Sequence, residues 1–139
     1  MTCRLLLDTN VLIDAALPER PQSDEASELI EAAMGGSYLA YISSLSLKDF
    51  FYVCRKSITN SVAHTWIETF MESLEVVPVD RTTCQRALKS ANPDFEDALI
   101  EAAATEARAD YLITRDLEGF DGLTIPRLSA AEFLALQEA

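Results

Sequence analysis

Four aspartates in this chain occupy positions where a charge is hard to keep hydrated: Asp8, Asp49, Asp97 and Asp116. Asp8 directly follows the apolar run Leu5-Leu6-Leu7, and the others recur far downstream beside similar apolar stretches. A carboxylate at the mouth of a buried strand loses water, so it needs a cation, a hydrogen-bond donor or a raised pKa to remain there. Several such groups converging on one point would suit a hard divalent ion bound through oxygen. Each acid also has a plainer reading. Asp8-Thr9-Asn10 is a good Asx-turn sequence. Ser46 to Asp49 fits a capping box. Asp97, with Asp94 and Glu96, could complement a helix dipole, and Asp116 could punctuate a loop with Gly119 and Gly122. Only the joint pattern carries the metal reading.

The elements that would have to gather these acids alternate along the chain. Short apolar runs predict strands at Arg4 to Leu7, Tyr38 to Ile42, Glu75 to Val79 and Tyr111 to Thr114, with a weak one at Leu123 to Ile125. Helical periodicity fills the intervals. A first helix starts near Val11 and breaks at Pro18 and Pro21; a second covers Asp24 to Met34 and stops at Gly35-Gly36. Leu45 to Ser57 and Ser61 to Leu74 form a pair, with Asn60 as the cap of the latter. Asp80 caps Arg81 to Ser90. Asn92 caps a helix that has Pro93 in its first position and runs to Arg108, and Ser129 with Glu132 forms a capping box for the last one. Strands separated by helices imply an α/β fold, a three-layer α/β/α sandwich around a mainly parallel sheet of four to five strands. In such sheets ligands collect outside the carboxyl ends of the strands, where Asp8 and Asp116 fall; Asp49 and Asp97 would reach the same edge from helices.

With 139 residues, 49% of them hydrophobic and only four glycines and five prolines, the whole chain from 1 to 139 is expected to fold as one domain. Cys3, Cys54 and Cys84 are odd in number and widely spaced, which suits neither a disulfide framework nor a zinc site and fits a reducing cytoplasm. No segment approaches a signal-peptide core or a membrane span. The net charge of -12, with eleven Lys and Arg, argues against non-specific nucleic-acid binding. An acid cluster holding metal supplies part of that balance, however, and the ion inverts the local sign where a phosphate would sit.

Four segments together resemble the PIN-domain ribonucleases, which include the VapC-type toxins of bacterial toxin-antitoxin pairs. They are Leu6-Leu7-Asp8-Thr9-Asn10-Val11-Leu12, Ile42-Ser43-Ser44-Leu45-Ser46-Leu47-Lys48-Asp49, Phe95-Glu96-Asp97-Ala98-Leu99-Ile100 and Tyr111-Leu112-Ile113-Thr114-Arg115-Asp116. The likeness spans nearly the full length. It implies Asp8, Asp49, Asp97 and Asp116 as the catalytic acids, with Asp8, Asp97 and Asp116 on Mg2+ or Mn2+, Asp49 orienting water or metal, and Asn10 and Thr114 as polar supports. It further implies hydrolysis of RNA phosphodiesters to 5'-phosphate and 3'-hydroxyl ends, a homodimer, and an antitoxin that inserts an Arg or Lys among the acids. Lys48, Arg55, Lys56 and Arg115 are the candidate phosphate contacts. Two departures stand out: Asp49 sits where Glu is commoner, and Gly119 where relatives often carry Asp, which leaves Glu118 or nothing as a fifth acid.

Rival readings fit less well. A phosphoryl-transfer hydrolase built on Asp-x-Asp would need an acid at Asn10, and a phospho-receiver module would need a lysine where the chain has Pro126-Arg127. A PIN-like protein with weakened catalysis that binds RNA or a protein partner is the remaining alternative. His64, remote from every acid block, reads as a surface or packing residue, while Trp66 with Phe70 and Phe50 with Tyr52 could form a dimer patch.

Overall fold

The computed structural model describes residues 2–120 and 123–138. Gly122, one of the loop glycines read beside Asp116, lies outside them. The elements run β1 (Arg4–Leu7), α1 (Thr9–Ala16), α2 (Ser23–Met34), β2 (Leu39–Ser43), α3 (Ser44–Cys54), α4 (Asn60–Ser73), β3 (Glu75–Val77), α5 (Arg81–Leu88), α6 (Phe95–Glu106), β4 (Tyr111–Ile113), β5 (Arg127–Leu128) and α7 (Ala130–Glu138). The strands form one parallel sheet in the order β3-β2-β1-β4-β5.

Strand β1 sorts the two faces of that sheet. Side chains alternate along a strand, so Leu5 and Leu7 enter a core shared with α1, α2, α3, α4 and α7, while Leu6 faces Ala103 and Ala104 of α6 and Ala107 at its C-cap. All three leucines are fully buried. This is the expected α/β/α sandwich with its parallel sheet. The larger face is locked by edge-on aromatic pairs: Phe50 against Phe70, centroids 5.0 Å apart, joins α3 to α4, and Tyr38 against Phe133, 5.1 Å apart, joins the entry to β2 to α7.

Several local expectations needed correction. The last strand is Arg127–Leu128, not Leu123 to Ile125, because the Pro126 and Leu128 carbonyls accept the Leu112 and Thr114 amides; Leu123 and Ile125 instead pack their side chains against the α6 face. The α4 cap is Thr59, whose Oγ1 accepts from the Val62 amide at 3.1 Å, so Asn60 is already helical. The α6 cap is Asp94, not Asn92, and Pro93 lies ahead of the helix. Asn92 Oδ1 accepts from the Asp94 amide at 2.9 Å, which shapes the approach to the cap. Helix α6 stops at Glu106, where Arg108 takes a left-handed φ of 55° and the Ala109 amide reaches back to the Ala104 carbonyl. Asp80 caps α5 as read, in a capping box that Thr83 completes, although the helix ends at Leu88 rather than Ser90, and Ser129 with Glu132 forms the capping box read for the last helix.

Candidate active site

Asp8 is the hinge of the site because it ends β1 and caps α1 at once. One carboxylate oxygen accepts from the Thr9 amide at 2.8 Å; the other accepts from Asn10 Nδ2 at 3.1 Å and from the Thr114 hydroxyl at 2.8 Å. Thr114 can reach it because β1 pairs with β4 in the register Leu7 to Ile113, and the Asp8 amide donates to the Ile113 carbonyl. Burial pushes the Asp8 carboxyl up, the bonds from Thr114 and Thr9 oppose that, and the Asp116 charge adds to it. The Asx-turn reading was therefore half of the matter: one oxygen does local capping work, and the other is aimed across the sheet.

Asp97, in the first turn of α6, is pushed up to about 6, by burial first and then by the charges of Asp94, Asp116, Asp8 and Glu101. Asp94, read as complementing the helix dipole, is the cap itself, its side chain accepting from the Asp97 amide at 3.1 Å. Asp49 sits in the middle of α3, which starts at Ser44 behind the Ser43 cap, so it belongs to no capping box. Its carboxylate pairs with Lys48 Nζ at 2.8 Å. Asp116 is exposed; its amide donates to Thr114 Oγ1 at 3.0 Å and its Oδ1 accepts from the Gly119 amide at 2.9 Å. That close approach needs glycine, since a Cβ at 119 would lie 2.5 Å from Asp116 Oδ2.

A cleft of about 510 Å³ opens among these groups, lined by Asp8, Asn10, Asp49, Glu96 and Asp97, with Lys48, Ile13, Leu45, Tyr52, Val53, Leu99 and Ile100 among its other walls. Thr114 and Asp116 stand beside Asp8 and do not line it. Among the described residues no three His, Cys, Asp or Glu side chains are gathered tightly enough to hold one ion as posed. The donor chemistry nevertheless fits a hard divalent cation: Asp8, Asp97 and Asp116 repel one another across the site, a cost that such an ion would reverse.

The basic candidates divide. Arg115 is committed inward, its Nε 2.8 Å from Asp14 Oδ2, while Lys48 is held by Asp49 at the cleft wall. Arg55 and Lys56 are exposed beyond the end of α3, their cations 4.7 and 5.7 Å from the Tyr52 ring centre. The aromatic patch expected for a dimer is not available as such: Phe50 and Phe70 are fully buried, and of the four only Tyr52 is largely exposed. His64 is an exposed residue of α4 against Phe51, away from the cleft.

Sequence reasoning overlooked two buried carboxylates. Asp14 is 2% exposed, and its oxygens face Arg115 and Arg20. A lone charge inside Val11-Leu12-Ile13-Asp14-Ala15-Ala16-Leu17 was the available signal. Glu101, 4% exposed, accepts from Ser90 Oγ and Asn92 Nδ2 and so fastens the loop that leads into α6. Only its helical spacing from Asp97 hinted at it.

The chain belongs to the PIN-domain family, whose sequence pattern matches residues 4–118. No curated protein matches it significantly. Among solved structures it is similar to VapBC2 from Rickettsia felis bound to a promoter DNA fragment, with a TM-score of 0.70 and 17% identity over 91% of this chain and 98% of that one. A toxin-antitoxin complex from Klebsiella pneumoniae gives a TM-score of 0.67 and 22% identity over 91% and 97%. Mycobacterium tuberculosis VapC20, described as a sarcin-ricin loop cleaving toxin, gives 0.64 and 13% over 85% and 90%. At such identities the likeness is one of fold. Among the described residues no helix is long and apolar enough to cross a membrane.

Proposed function

We propose that this protein, folded as one domain, is a Mg2+- or Mn2+-dependent endoribonuclease and the toxin of a toxin-antitoxin pair. The observation that carries the reading is the meeting of Asp8, Asp49 and Asp97 at one cleft, with Asp116 electrostatically joined to Asp8 and Asp97. Membership of the PIN family supports it, as do proteins of similar fold described as a VapBC2 complex and a sarcin-ricin loop cleaving toxin. Asp8, Asp97 and Asp116 would hold the metal. When bound, the ion supplies an acidified water and neutralises charge developing on the phosphate. Asn10 and Thr114 fix the direction in which Asp8 presents its oxygen, and Ile13, Leu99 and Ile100 give the cleft an apolar wall. Lys48 is placed to hold Asp49 or, released from it, to meet a phosphate; Arg55 and Lys56 offer charge at the rim, whereas Arg115 does so only if it leaves Asp14. A single-stranded or loop RNA suits an open cleft better than a deep A-form groove. The antitoxin would insert a cation among the acids, and the protein would act in the cytoplasm as a homodimer.

The test is incubation of the purified protein with structured RNA in Mg2+ or Mn2+, with the product ends identified. Cleavage giving 5'-phosphate and 3'-hydroxyl ends, abolished by Asp8→Asn, is expected; cleavage that survives Asp8→Asn, or none in either ion, refutes it. A second reading, a catalytically weakened RNA- or protein-binding module, is favoured by the capture of Asp49 by Lys48 and of Asp116 by Gly119. It would show RNA retention in a gel-shift assay without cleavage.

A further inference from the structure

Asp14 is a carboxylate almost wholly out of water, one helical turn beyond Asn10 on α1 and outside the cleft lining. Replacing a buried ion pair by apolar groups of similar volume is often neutral or stabilising, so stability alone is a poor account of its presence. Its partners are informative. Arg20 lies in the turn between α1 and α2, 3.9 Å away, but the short bond goes to Arg115, the residue between Thr114 and Asp116. Four contacts hold that segment against α1: Thr114 Oγ1 donates to Asp8 and accepts from Asn10 Nδ2 at 3.4 Å, the Arg115 amide donates to Asn10 Oδ1 at 3.3 Å, and the Arg115 side chain ends on Asp14. Beyond it residues 115–118 are exposed, and the Asp14 pair is the one ion pair on this segment among the described residues.

We propose that Asp14 is a positioning residue: by gripping Arg115 it holds the chain at the exit of β4 so that Asp116 stays beside Asp8 and Asp97. As far as metal is concerned this rests on the ribonuclease reading above. Arg115 is thereby assigned to Asp14 rather than to RNA, and the buried Asp14 charge fixes a loop rather than adding to the core.

The decisive experiment compares Asp14→Asn, the apolar double variant Asp14→Leu with Arg115→Met, and Asp116→Asn. Free Mn2+ is counted by electron paramagnetic resonance during titration without RNA, and the Gly119 amide, which donates to Asp116, is followed in nitrogen-proton NMR spectra. Asp14→Asn alone should melt earlier, because Arg115 loses its counter-charge. The double variant should recover the melting temperature yet bind Mn2+ about tenfold more weakly, as losses of supporting groups around metal ligands do. Its Gly119 amide should move toward the position seen in Asp116→Asn. A double variant with wild-type Mn2+ binding and an unmoved Gly119 amide overturns the proposal. Should it fail to fold, Arg115→Gln, at an exposed position, carries the same two readouts, and Arg115→Lys should restore part of each. If the wild type binds no Mn2+ and cuts no RNA, the ribonuclease reading falls, while the amide signal still decides what Asp14 does.

Discussion

Asp97→Asn should make the metal-free protein more stable at neutral pH, contrary to the usual effect of substituting a partly buried residue. The Asp97 carboxyl is pushed from its ordinary 3.8 up to about 6. The folded state therefore holds that proton more tightly than the unfolded chain does. Stability from this group falls as pH rises from the unfolded value through the folded one, and the penalty is complete above about pH 7. At about 1.4 kcal/mol per pKa unit the ceiling is about 3 kcal/mol. Solvent in the open cleft screens about half of that, leaving about 1.5 kcal/mol. Asparagine also forfeits a negative charge in the first turn of α6, a loss of about 0.5 kcal/mol. The net gain of about 1 kcal/mol corresponds to a rise in Tm of about 3–5 °C for a chain of this length. Thermal melts in EDTA at pH 7.5 and pH 4 measure it. The variant should melt higher at pH 7.5, and the gap should largely close at pH 4, where Asp97 carries its proton in the folded state and the unfolded chain, at its ordinary 3.8, is itself close to half protonated. A lower Tm at pH 7.5, or a gap that does not depend on pH, would show that the cleft does not hold Asp97 under electrostatic stress. Asp8, also raised by burial, works in the same direction, so the wild type itself should lose stability as pH rises from about 4 to about 7.

Gly119→Ala should expel the Asp116 carboxylate from the residue-119 amide, since the new Cβ would fall 2.5 Å from Asp116 Oδ2; the bond is solvent-exposed, so the change should appear as faster amide exchange at 119 with a stability change of about 1 kcal/mol or less. Thr114→Val keeps the buried shape but removes a donor from Asp8, and urea titration at pH 7.5 should show a loss of about 1–3 kcal/mol that shrinks at pH 4. Phe50→Ala removes the ring that meets Phe70 between α3 and α4 and should lower stability by about 3–5 kcal/mol in the same titration.

The placement of Asp8 was legible because an apolar run ending in an acid marks the carboxyl end of a buried strand, and that edge is where α/β proteins build sites. Asp97 was legible for a related reason: a first-turn acid points its helix end toward the same edge. The capture of Asp49 was not, since neighbours in a helix do not ordinarily face each other, and Lys48 reaches its own neighbour only through a long flexible stem. Nor could the sequence tell that Asp116 would turn to Gly119, because that contact depends on a missing Cβ rather than on any group present. Asp14 was hidden inside a helix whose apolar pattern dominates, with its partner about a hundred residues away in sequence. The caps at Thr59 and Asp94 differ from the expected Asn60 and Asn92 by one and two positions, since several polar residues compete for each cap and only tertiary packing chooses. The two-residue β5 has no periodicity to read; its register comes from the free carbonyl and amide groups of β4.

Because β1 lies between β2 and β4, its second neighbour is supplied by Tyr111–Ile113, long after Arg4–Leu7 has been made. A nascent chain leaving the ribosome therefore carries Asp8 and Asp49 on an unfinished sheet, with no Thr114 to orient the first and no α6 to close the far wall. Pairings so distant along the chain also form slowly. Synthesis thus imposes a built-in delay on completing the cleft, and a fragment cut short before β4 would lack the strand that brings Thr114 to Asp8, however many of its acids it contained.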